Sequence, residues 1–198
     1  MSASRRGASP AAEPGVTHTP RRAAPPVAAQ ATPRLSLSVQ GRERFGGAAE
    51  PLPADSTLRR WLRAALRGPA QITLRFVDAR EGRRLNRDFR GRDYATNVLT
   101  FDYARAPVEA DIVLCVPVIA REARTQGKRW RAHLAHLVVH GALHAQGHEH
   151  ETEAEATRME RLEVKVLAAL GYPDPYVPQA KSMSTSTRRD PSPRGFRH

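Results

Sequence analysis

In "VVHGALHAQGHEHE", residues 138–151, four of the chain's eight histidines fall within eleven residues, grouped around one glycine. Read as a helix, the stretch sets His140 and His144 at i and i+4, about 40° apart around the axis and about 6 Å along it, so both rings can reach one point. A tetrahedral metal holds ligand nitrogens about 2.0–2.1 Å away, and this spacing supplies two of them from one rigid element. His136 shares the face but stands two turns from His144, about 12 Å along the axis, too far to close the same site. A third ligand has to come from chain that turns back. Gly147 permits the turn, because glycine takes left-handed backbone angles without steric cost. His148 and His150 both follow on the return, and helical geometry alone leaves both open.

Three protein ligands leave a fourth position for water, the arrangement of a catalytic zinc. The spacing H-x3-H-x2-G-x2-H is also that of the zinc endopeptidases with the pattern H-E-x-x-H-x-x-G-x-x-H, and it favours His150 as the third ligand. Where those enzymes carry the glutamate that serves as general base, this chain has Gly141. A zincin-like histidine helix is present and the peptidase base is missing. Histidines also collect on solvated helix faces, but three at this spacing with a glycine in register favour a metal site. His133 and His136 read as residues supporting the ligands or lying at the surface.

The rest of the pattern predicts an α/β domain: a single, about four-stranded mixed sheet with helices packed around it. "LSLSVQ" alternates as a half-buried strand from Leu35. "STLRRWLRAALRG" reads as a helix, capped by Ser56 or Thr57, striped by Leu58, Trp61, Leu62, Ala65 and Leu66, and stopped at Gly68. "QITLRFVD" is a second strand, "AREGRRLNRDFRG" a short helix ending at Gly91, and "TNVLTFDY" and "ADIVLCV" two more strands separated by a loop with Pro107. Helices follow over about 117–126, 130–146 and 152–170, the last stopped by Gly171 with Pro173 and Pro175 beyond.

Charge bounds the partners. The 198 residues carry 32 Lys+Arg against 20 Asp+Glu, a formal net charge of +12. Such a balance favours a polyanion, most often nucleic acid. Residues 1–34 contribute +4 and residues 177–198 another +4, leaving +4 for residues 35–176. The expected organisation is a disordered basic N-terminal extension over 1–34, a folded domain carrying the histidine cluster over 35–176 and a disordered basic C-terminal tail over 177–198. Only three basic residues are Lys. Arginine suits bidentate phosphate contacts, although GC-rich coding produces the same excess. The single cysteine, Cys115, lies in an apolar run, excludes an intrachain disulfide and fits a reducing cytosol. No apolar run approaches the roughly 18 residues of a membrane span. The N-terminal segment lacks a hydrophobic signal core; it is Arg-bearing and acid-poor like an organelle transit peptide, but six prolines oppose the amphipathic helix such peptides need. The expected location is the cytoplasm, with organelle targeting by the extension left open.

"HGALHAQGHEH" resembles the H-G-x-L-H-L-x-G-Y-D-H motif of the YbeY family, bacterial single-strand-specific metallo-endoribonucleases that mature rRNA. "LNRDFRGRDYATNVLTF" is similar to the family's L-N-x-x-Y-R-G-x-D-x-x-T-D/N-V-L-S-F segment. "ADIVLCVPVIAREARTQGKRWRAHLAHLVVHG" resembles its G-D-I-x-I segment and following helices, and "ALGYPDPY" its end. The resemblance spans about residues 50–176. It implies one zinc on His140, His144 and His150, and a functionally important arginine at Arg90. It also implies single-stranded RNA as substrate, a role at the 3′ end of 16S rRNA and in ribosome quality control, and the ribosome or its small subunit as partner. Three departures stand out: Ala145 for the family's Leu, His148-Glu149 for Tyr-Asp, and Ala110 for Gly. His148 is thereby a competing candidate ligand.

Zinc can polarise a phosphoryl oxygen and make a bound water more acidic. Arginine is the natural donor to the non-bridging oxygens. Residues 75–92 carry seven Arg against three acidic residues, a stripe suited to phosphate or an ordinary solvated face. No residue declares itself as general base. Besides the endoribonuclease, the pattern leaves a metallopeptidase on the same scaffold, opposed by Gly141, and a non-enzymatic ribosome-assembly factor with a structural metal.

Overall fold

Period-two burial explains the sheet. In the strand Ala70–Val77, Ile72, Leu74 and Phe76 are buried, while Gln71, Thr73 and Arg75 between them are more exposed. The computed structural model describes residues 35–47 and 51–178; the expected extensions over 1–34 and 177–198 lie outside these, apart from Val177 and Pro178. In chain order the elements are β1 (Leu35–Gln40), a 3-10 turn (Arg42–Phe45), α1 (Asp55–Ala65), β2 (Ala70–Val77), α2 (Ala79–Arg90), β3 (Val98–Arg105), β4 (Val108–Cys115), α3 (Val116–Thr125), α4 (Trp130–His144) and α5 (Glu153–Ala169). The strands form one mixed sheet in the order β1-β2-β4-β3. β1, β2 and β4 run parallel, and β3 pairs antiparallel with β4 at the edge. Parallel neighbours need crossovers; α1 supplies the first, and α2 with β3 the second.

Two cores result. The larger joins Leu58, Trp61 and Leu62 of α1, Leu134 and Val138 of α4 and Leu167 of α5 to Ile72, Leu74 and Ile112 of the sheet. The smaller, on the other face, holds Val77, Leu99, Val113, Cys115 and Val118, with Leu85 of α2 against it. Cys115 is buried among them, and burial pushes its thiol pKa up, as expected for a packing residue.

Two helix boundaries differ from the sequence reading. α1 starts at Asp55, after Ala54, with no side-chain cap, and Ser56 and Thr57 lie within its first turn. Its start is fixed from elsewhere: the Arg42 guanidinium donates to the Pro53 carbonyl at 2.8 Å and to Asp55 at 2.6 Å. The helix ends at Ala65 because Leu66 turns extended and buries its side chain on the way into β2. α2 matches expectation. Asp78 accepts from the Glu81 amide at 2.8 Å, and Gly91 closes it with φ 67°.

α4 is buried nearly all round, as a helix through the middle of a core must be. It lies directly on the sheet at Gly141, where an added Cβ would stand 2.7 Å from Ile112 Cγ2 and 3.1 Å from Thr100 Oγ1. That approach carries His140 and His144 to β3. Alanine normally stabilises a helix interior over glycine by about 1 kcal/mol. Here the extra methyl meets a stiff β-branched side chain in a buried strand, and overpacking costs about 1–3 kcal/mol. Gly141→Ala is therefore expected to lower the melting temperature; a variant that melts higher would show that α4 has room to spare.

Candidate metal centre and cleft

The last turn of α4 presents His140 and His144 with their Nε2 atoms 3.1 Å apart. Two ligands of a tetrahedral ion at 2.0–2.1 Å stand about 3.3 Å from each other, so this pair is already at the separation an ion requires. The helix then closes in a Schellman turn. The His148 amide donates to the Leu143 carbonyl at 3.2 Å, the Gly147 amide to His144 at 2.8 Å, and Gly147 takes φ 82°. The returning chain brings His150 back, its ring 5.0 Å from that of His144 and 5.6 Å from that of His140. One nitrogen from each of the three lies within 4.8 Å of the others, a group that could hold a metal ion. His148 is not in the group. It is half-buried, and burial followed by the charges of Arg67 and Arg158 lowers its pKa.

Carboxylates stand behind the rings. Glu163 of α5 is fully buried; it accepts from His140 Nδ1 at 2.7 Å, from His136 Nε2 at 2.8 Å and from the Tyr176 hydroxyl. Burial alone would raise its pKa. The hydrogen bonds from His136 and His140, with that of Tyr176, outweigh burial and hold it down to about 2. An ionised carboxylate only accepts, so His140 carries its proton on Nδ1 and turns a lone pair on Nε2 toward the cleft. His136 and Glu163 also form a possible ligand group with His140, but their donors and acceptors already bond one another directly. Glu149 lies 3.5 Å from His144 Nδ1. Burial, followed by the facing rings of His140 and His150, depresses His144 to about 4, which keeps its ring neutral and able to ligate. His133, expected as a support or a surface residue, is buried and bonds Glu122 at 2.9 Å; Asn97 donates to the same oxygen at 3.0 Å.

The three histidines line a cleft of about 490 Å³ together with Arg90, Arg92, Tyr94, Asn97, Thr100 and Asp102. The arginine stripe over 75–92 separates into two groups. Glu81 takes Arg75 and, at 3.9 Å, Arg84; Asp93 takes Arg83 at 2.6 Å; Asp88 takes Arg87 at 3.1 Å. Among the described residues, Arg80, Arg90 and Arg92 enter no ion pair, and the last two face the histidine cleft.

A family model described as Endoribonuclease YbeY matches residues 53–171, more than half of the chain. The chain belongs to the YbeY endoribonuclease family. Proteins named Endoribonuclease YbeY from Methylibium petroleiphilum and Ralstonia nicotianae are 58% and 56% identical to it, over 74% and 72% of this chain and 97% and 78% of theirs. A relative of the same name from Aromatoleum aromaticum is 56% identical over 74% of this chain and 95% of its own. A solution structure from Thermotoga maritima is 22% identical with a TM-score of 0.45, covering 68% of this chain and 91% of that one. Membership in the YbeY family makes the chain an enzyme of the nuclease class, a hydrolase.

Sequence reasoning passed over Glu163 and Tyr176. A signal for the first was present: Glu163 sits at the centre of the buried row Met159, Glu163, Leu167, a charge at i+4 on an otherwise apolar stripe. Glu163→Gln keeps the shape but gives up the charge that orients His140 and Tyr176. Partners of this kind are worth about 10–100-fold in metal affinity. Chelator competition should show a loss of that size, with a smaller one for Tyr176→Phe; unchanged affinity in both would make the network a fold element only.

Proposed function

We propose that this protein is a zinc-dependent endoribonuclease specific for single-stranded RNA, acting in rRNA processing at the 3′ end of 16S rRNA and in ribosome quality control. The observation that carries the reading is the convergence of three imidazoles in a cleft that also holds two arginines without an ion pair among the described residues, in a chain of this family. An all-imidazole set of three suits zinc with an open position. Bound there, zinc would supply Lewis acidity toward a phosphoryl group. His140, His144 and His150 hold the ion, and Glu163 fixes the tautomer of the first. Arg90 ends α2 beside the left-handed Gly91 and is free to set its planar guanidinium on the non-bridging oxygens, where charge grows in the transition state. The peptidase reading finds no support at Gly141: the position that would carry its base has no room for a Cβ. No described helix is long and apolar enough to cross a membrane. The proposal places the reaction in the bacterial cytoplasm, with the small ribosomal subunit as partner.

Purified protein should carry about one equivalent of zinc. His144→Ala and His150→Ala should lose most of it, and His148→Ala should keep it; equal loss in the His148 variant would displace His150 as third ligand. Arg90→Ala, assayed at saturating RNA, should retain zinc and melting temperature while cleavage slows by about 10²–10³-fold, the effect of one donor lost from a charge-stabilising site. Recovery of the parent rate at saturation would make Arg90 a binding residue, and collapse of the zinc content would make it structural.

A further inference from the structure

The segment "FRGRDY", residues 89–94, is exposed at every position; its Arg90, Arg92 and Tyr94 line the histidine cleft, and Phe89 adjoins Arg90 in the chain. It sets an aromatic residue at each end of a stretch with two arginines. Phe89 is 64% exposed and Tyr94 53%, so both rings are accessible to a partner. Neither ring stands on a loose loop. Phe89 rests edge-on against Phe101, centroids 4.9 Å apart. The backbone of Tyr94 is tied from below, its carbonyl accepting from buried Asn86 at 2.8 Å. Its hydroxyl lies 3.1 Å from an Arg92 nitrogen. The segment's one acid, Asp93, is held by a two-bond pair with Arg83 at 2.8 and 2.6 Å, so it does not oppose Arg90 and Arg92. The result is a rigid rim offering two ring faces and two unpaired guanidinium groups.

Resting on the endoribonuclease reading above, we propose that Phe89 and Tyr94 are stacking platforms for unpaired bases on either side of the phosphate held by Arg90 and Arg92, and that they set the preference for single strands. An unpaired nucleotide can turn a π-face onto an aromatic ring; in a duplex those faces are already stacked on neighbouring pairs. Phenylalanine has no hydrogen-bonding group, so the platform at Phe89 selects strandedness and not sequence. The arginines draw the backbone by charge, and the rings retain only strands whose bases can open.

The test uses the full-length, zinc-loaded protein with a short single-stranded RNA and a duplex of equal length. Phe89→Ala and Tyr94→Ala should each raise KM for the single strand about fivefold or more, with little change in kcat. The salt dependence of binding should keep its slope in both, whereas Arg92→Ala should reduce the slope by about one. The double aromatic variant should discriminate less between single strand and duplex, and Phe89→Tyr and Tyr94→Phe should restore KM. Trp61 and Trp130, the chain's two tryptophans, are buried, so Phe89→Trp adds an exposed reporter whose emission single-stranded RNA should quench and duplex should not. Unchanged KM in both alanine variants, or equal quenching by duplex, would overturn the platform and leave the rim to a protein partner. The quench reads binding without cleavage. A parent protein that cleaves no RNA would therefore refute the proposed activity, while the quench still decides the platform.

Discussion

The contact between α4 and the sheet at Gly141 sets the position of His140 and His144, around which the cleft is built. A helix carrying any side chain there would stand off from Ile112 and Thr100, and its histidines would withdraw from the wall formed by β3. Because the helix is buried on nearly every side, it cannot rotate to relieve the contact without exposing Leu134, Val138 or Val139. His140 and His144 are thus set by core packing, while His150 depends on the returning chain. The half of the site built on the helix is held more precisely than the half carried by the loop.

Glu163 shows a different balance. A buried carboxylate is strongly unfavourable by itself, and this one remains ionised because His136, His140 and Tyr176 all donate to it. The group does two things at once. It links the segment after α5 to the histidine helix through Tyr176, and it fixes which nitrogen of His140 is free to ligate. Stability of the core and readiness of the site therefore share one set of hydrogen bonds, and a substitution at Glu163 cannot disturb one without the other.

Local rules made much of this legible. Strand alternation, the Gly91 and Gly147 stops and the i, i+4 histidine pair depend only on neighbouring residues, and each has its counterpart in the structure. What the pattern missed depends on distant partners. Ser56 and Thr57 have the chemistry of caps, but Arg42 fixes the start of α1 by holding Pro53 and Asp55 instead. Glu163 interrupts an apolar stripe in the sequence, but its partners His136, His140 and Tyr176 are found only once α5 is laid against α4. Of the arginines on Glu81, only Arg84, its i,i+3 partner, is local in sequence, whereas Arg44 and Arg75 reach the same carboxylate from other elements.

That division of the arginines bears on how charge works in the cleft. The four paired ones hold the base of α2 and the loop after it, and their fields largely cancel against Glu81, Asp88 and Asp93. Arg90 and Arg92 have no such partner among the described residues, so they bring uncompensated positive charge to the cleft, in a region, residues 35–176, that carries +4 of the chain's +12. The lining is not uniformly cationic. Glu149 and Glu151 flank His150 on the returning chain, and Asp102 lies on β3. Carboxylates beside the imidazoles favour a divalent cation and repel phosphate; guanidinium groups at the end of α2 do the reverse. The cleft therefore brings guanidinium groups from the end of α2 and carboxylates of the returning chain into one lining with the three histidines.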